Sequence, residues 1–103
     1  MKIRLPGTTW RKVPWVSHSW YRAERGGRAK LWLMWDQRRW GWRIRVYIAG
    51  RVIGVTLVDL PLSMGLGPES QATVRFGKGQ AEAFWHATAS KYLEIIRSMA
   101  TEA

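Results

Sequence analysis

The chain has 103 residues, of which 47% are apolar and 13% aromatic, with no cysteine and a formal net charge of +10. This is the composition of one globular domain with a single core, too rich in aromatics for a disordered chain. It excludes disulfides, thiolate zinc sites and a cysteine nucleophile, and no apolar run approaches the roughly 20 residues that span a bilayer.

The N-terminus, Met1 to Pro6, lacks the apolar stretch of a signal peptide, so an intracellular protein, cytoplasmic or nucleoid-associated, is expected. Val13 to Arg22 reads as extended, interrupted by Pro14, which suits an edge or a strand start. Glu24-Arg25-Gly26-Gly27 is a turn signal, and Ala29 to Asp36 a second strand, with Leu31, Leu33 and Trp35 on one face and Lys30, Trp32 and Met34 on the other. Gln37-Arg38 can close a tight hairpin into Trp40 to Ile48, the clearest alternation in the chain. Ala49-Gly50 is a second tight turn, followed by a strand over Arg51 to Val58. Asp59 to Ser70 holds two prolines and two glycines and reads as a loop, and Ala72 to Phe76 as a short strand. Gly77-Lys78-Gly79 then opens a helix from about Gln80 to Met99, with Ala81, Phe84, Trp85, Thr88, Tyr92, Ile95, Ile96 and Met99 on one stripe and Glu82, His86, Ser90, Glu94 and Arg97 opposite.

Two-residue turns at both hairpins give registers that can be checked against each other, since a one-residue slip reverses every side chain. They place Trp35 opposite Trp40, Leu33 opposite Trp42 and Leu31 opposite Ile44, then Val46 opposite Ile53, Ile44 opposite Val55 and Trp42 opposite Leu57. Every pair is apolar. On the other face Trp32 meets Arg43 and Lys30 meets Arg45, with Gly54 and Thr56 beside the arginines. By phase, Trp35, Trp40, Trp42 and Trp85 are core and Trp32 is outward. The fold expected is α+β: an antiparallel β-meander of three to five strands, covered on one face by a C-terminal amphipathic helix. It forms a single domain over 1–103, with a basic, tryptophan-rich meander over 1–58, a loop over 59–71 and a short strand plus helix over 72–103.

Charge and aromatic residues are segregated. Residues 1–51 hold seven of the eight tryptophans and thirteen of the seventeen Lys and Arg, but only Glu24 and Asp36 as acids, a formal charge of +11; residues 52–103 carry −1. Twelve of the basic residues are Arg, the side chain suited to bidentate phosphate contacts and to stacking on rings. A polyanion partner is implied, most directly DNA or RNA. The outward sheet face collects Lys30, Trp32, Arg43, Arg45 and Tyr47, where cations can follow phosphates and rings can stack on bases. Arg22, Arg25 and Arg28 at one hairpin and Arg38 and Arg39 at the next form a second set of candidate phosphate contacts. Gly77-Lys78-Gly79 at a helix start is a weak anion-binding signal.

Catalysis finds little support. His18 and His86 stand alone, no carboxylates are paired, and neither a metal nor a cofactor is expected. The expectation is a non-enzymatic nucleic-acid-binding protein, with a small basic ribonuclease left open. The alternative is a small interaction or inhibitor protein, phage-type or regulatory, docking on an acidic protein surface, because Trp and Arg also dominate protein interfaces. An anionic membrane surface is a third option, disfavoured because the helix has no cationic face. The order of meander then helix, with Trp40-Gly41-Trp42 followed by Arg43-Ile44-Arg45, resembles the AP2-type and integrase arm-binding domains. That resemblance implies a sheet presented to DNA; it lacks a residue between Gly41 and Trp42 and adds the 59–70 loop, so no residue role is carried over.

Overall fold

The computed structural model describes the backbone of residues 4–102 and the side chains of residues 4–92. Five strands, β1 (Arg11–Lys12), β2 (Ser19–Ala23), β3 (Ala29–Asp36), β4 (Gly41–Ile48) and β5 (Arg51–Asp59), precede one helix, α1 (Gln71–Glu102). Each strand pairs antiparallel with its neighbour in chain order, β1-β2-β3-β4-β5, and α1 packs on one face. The architecture is the expected α+β meander.

The first strand differs from its expectation. Val13 to Arg22 is not one extended segment: the chain turns through Pro14 to His18, where His18 takes a positive φ of 50°, and β1 ends before it. Val13 is buried and its N–H donates to the Ser19 carbonyl at 2.9 Å. The Glu24 turn forms as read, with the Gly27 N–H donating to the Glu24 carbonyl. Ala49 and Gly50 both take positive φ, 53° and 76°, the combination of a type I′ hairpin.

Both long hairpins depart from the expected register, with different consequences. The β3–β4 connection is four residues, Gln37 to Trp40, so Trp35 pairs with Trp42, Leu33 with Ile44 and Leu31 with Val46. This shift of two residues leaves each paired side chain of β3 and β4 on its expected face and moves Trp40 into the turn. It does remove Lys30 from opposite Arg45: Lys30 faces Tyr47, and Trp32 faces Arg45. The β4–β5 hairpin begins in the expected register at Ile48 and Arg51, then a bulge leaves Ile53 as an extra residue. Beyond it Val46 pairs with Gly54, Arg45 with Val55 and Arg43 with Leu57. The one-residue shift reverses the strand, turning Val55 and Leu57 outward and Gly54 toward the helix.

The helix begins nine residues before its expected start, so Ala72 to Phe76 is helix and not strand. Thr73, Gly77, Ala81, Trp85 and Ala89 form its buried ridge at four-residue spacing. The ridge meets Leu31, Leu33, Trp42, Ile44 and Val46 of the sheet to make the core. A Cβ on Gly77 would lie 2.7 Å from Cε2 and Nε1 of Trp42, so only glycine lets the helix sit this close. The Trp42 indole N–H donates to the Thr73 carbonyl at 3.1 Å, satisfying a buried donor beside that contact. Phe84, Thr88 and Tyr92 flank the ridge half-buried, while Glu82, expected on the far side, faces β2 instead. The side chains of Ile95, Ile96 and Met99, and of Glu94 and Arg97, lie outside the described residues.

Tryptophans divide differently from their strand phase. Trp42 and Trp85 are buried, and Trp35 is half-buried with its ring 5.1 Å from those of Trp40 and Trp42. Trp40 is not core: it closes the β3–β4 turn at φ 51° and is 41% exposed. The most exposed is Trp15 at 78%, on the β1–β2 turn.

Candidate functional site

Because α1 covers one face of the sheet, the other stays open, and the observed registers set its side chains in rows across the strands. The middle row runs Arg11, Tyr21, Trp32, Arg45, Val55 over all five strands. At about 4.8 Å between strands it spans about 19 Å. Lys30, Tyr47 and Val52 form the row toward the β4–β5 turn, and Met34, Arg43 and Leu57 the row on the other side. The five expected face residues, Lys30, Trp32, Arg43, Arg45 and Tyr47, therefore share one surface, all half-buried among their neighbours. Tyr21 and Trp32 stack, with ring centroids 5.5 Å apart and planes 27° from parallel.

The cations on this face are not equivalent. Arg43 donates from Nη2 to the Asp36 carboxylate at 2.6 Å, and Asp36 also accepts the N–H groups of Arg38 and Arg39 at 3.1 Å each. The Arg43 hydrogen bond, assisted by those backbone donors, holds the Asp36 carboxyl below the ordinary aspartate range. Arg43 is thus neutralised locally. Arg11, Lys30 and Arg45 have no acidic partner among the described residues, and Arg45 Nε is shielded from water without a hydrogen-bond acceptor. The unpaired positive charge of the face is centred on the Trp32 row.

The turn arginines do not form one cluster. Arg25 and Arg28 are exposed at one end of the sheet, and Arg38 and Arg39 at the other, separated by the length of β3, about 26 Å. Arg51 joins the first pair, as the Ala49 N–H donates to the Arg28 carbonyl and brings the two turns together. Arg22 belongs to neither. It lies in β2 on the helix side with a side chain 12% exposed, and donates to the Pro6 and Gly7 carbonyls and to Glu82 at 3.4 Å. Glu82 also accepts the Trp10 indole N–H. Arg22 holds the N-terminal segment to the helix and is no surface contact.

Two contributors escaped the sequence reading. Arg11 and Tyr21 complete the middle row, and with Arg4 and Arg25 they line an open groove along the β1–β2 edge that also contains Glu24. The signal was hidden by taking Val13 to Arg22 as one strand, which left Arg11 outside the sheet. Gly77-Lys78-Gly79, in contrast, lies inside α1, where its amides are not the free donors of a helix start.

Among the described residues no three His, Asp or Glu side chains converge on a metal-sized site, and no helix is long and apolar enough to cross a membrane. Comparisons with protein-family models, curated proteins and solved structures find no match to this chain.

Proposed function

We propose that the protein is a non-enzymatic nucleic-acid-binding module that holds a single strand across the open face of its sheet. The observation that carries this reading is the middle row: the stacked Tyr21–Trp32 pair lies between Arg11 and Arg45, and neither arginine has an acidic partner among the described residues. Half-exposed rings offer base stacking worth about 1–3 kcal/mol per base, and flanking guanidiniums follow the phosphates. Lys30 and Tyr47 extend the surface on one side, and the turn cations Arg25, Arg28 and Arg51 add sequence-independent contacts at that end. Arg43 contributes less, because Asp36 already compensates it.

Titration of single-stranded and duplex DNA and RNA at two salt concentrations tests this. Affinity for a single strand is expected to fall steeply with salt, by about 0.7 in log–log slope per phosphate neutralised. Trp32→Ala should weaken it by about fivefold or more, from the stacking energy at stake, and Arg45→Ala should reduce both affinity and slope. Binding that is absent, or flat across salt, sinks the proposal. A stoichiometric protein that co-purifies in place of nucleic acid would favour docking on an acidic protein surface.

A further inference from the structure

On the helix side of the same sheet edge lies a cleft lined by Lys12, Trp20, Arg75 and Lys78, together with His18, Glu69 and the start of α1. Its charge distribution is unusual. The ammonium groups of Lys12 and Lys78 both approach the Trp20 ring, at 6.0 and 5.7 Å from its centroid, although one comes from β1 and the other from α1. Arg75 stands one turn before Lys78 on the same helix. The acid in the cleft, Glu69, is turned toward His18, 3.8 Å from its Nε2, and makes no ion pair with the three cations. The quadrupole of the indole ring offsets part of the repulsion between two ammoniums, but it carries no net charge. A concave site in which three cations face one carboxylate attracts an anion, and among the described residues none of the three cations is ion-paired.

Strand β1 connects this cleft to the open face. Its two residues point to opposite sides: Arg11 pairs with Tyr21 at the end of the middle row, and Lys12 pairs with Trp20 at the mouth of the cleft. We infer that a single strand crossing the open face leaves the sheet over β1 and places a backbone phosphate among Lys12, Arg75 and Lys78. This inference rests on the open-face reading and adds direction to it: the strand runs across the β-strands from β5 toward β1, then turns around the edge. Lys12, Arg75 and Lys78 grip phosphate and read no base, since the cations occupy the surroundings of the one ring available.

The test compares a short oligothymidylate of about four residues with a long one of about sixteen, the range of site sizes known for single-strand binders. The full chain is compared with the double variant Arg75→Ala, Lys78→Ala and with the conservative variant Lys78→Arg. The long oligonucleotide should lose about tenfold in affinity and about one phosphate's worth of salt slope in the double variant. The short one should change less than about twofold, and Lys78→Arg should retain tight binding. Unchanged thermal midpoints would show that the fold is intact. If the double variant binds the long oligonucleotide like the parent, or loses both lengths equally, the wrapped path is wrong while the open face stands. If neither oligonucleotide binds the parent chain, the open-face reading falls and this path with it.

Discussion

The carboxylate of Asp36 accepts three donors at once, two from the turn backbone and one from Arg43, and this arrangement sets what Arg43 can offer a ligand. Its folded-state pKa is depressed, so the stability it contributes is fully present above about pH 3.9 and is lost as pH falls through the depressed value. Carboxyl resonances followed by NMR should place the Asp36 titration below that of an ordinary aspartate; a midpoint at or above the ordinary value would contradict the triple acceptance. Asp36→Asn should release Arg43 and raise single-strand affinity a few-fold, with a salt slope steeper by about 0.7. At this scale the sequence was legible by chemistry but not by partner. Alternation placed Arg43 outward correctly, yet pairing with Asp36 depends on a four-residue turn that composition does not announce. Trp40 was misjudged for the same reason: it sits in a turn with backbone geometry that strand phase cannot describe.

Gly77 and Gly79 sit two residues apart in one helix and have opposite packing demands. Gly77 lies against the Trp42 ring, whereas a Cβ at Gly79 would meet nothing within 4 Å. Alanine at Gly79 should stabilise the protein by about 0.5–1 kcal/mol through helix propensity and reduced unfolded-state freedom. Alanine at Gly77 gains the same propensity but pushes the helix off its seat, for a net loss of about 1–3 kcal/mol. Chemical denaturation of the two variants checks the difference in sign; equal effects would mean that the Gly77 contact is not limiting. This pair also explains why the helix start was misplaced. Two glycines and the β-branched Thr73 and Val74 read as a breaker after a strand, because the tryptophan that makes glycine necessary at 77 comes from β4, 35 positions earlier. The β3 and β4 spans were legible because alternation is local. The bulge at Ile53 was not, since an apolar run accommodates either phase and the seat of Gly54 against Phe84 and Thr88 decides it.

Across the whole molecule, a net charge of +10 works against compactness, and under the proposed function it also attracts the ligand. Salt should therefore act with opposite signs on two measurements. Screening of self-repulsion should raise the thermal midpoint of the free protein between low and moderate ionic strength, and the same change should weaken oligonucleotide binding. A melting series with and without a bound single strand checks both, and a free-protein midpoint that falls with added salt would contradict the picture of uncompensated charge. The fold class, one covered sheet face and the basic character of the other face were all legible from alternation and charge. The cleft beside β1 was not, because it requires strand β1, a turn and a helix to meet at one tryptophan.

The two edges of the sheet are unequal. One is β1, two charged residues followed closely by Pro14, a stretch too short to template another chain. The other is β5, nine residues long, unpaired along its outer side among the described residues, with Val52 and Val55 exposed. Edge-to-edge association at high concentration is therefore expected along β5 and not along β1. A lysine at Val55 would guard that line more effectively than any number of charges added around β1.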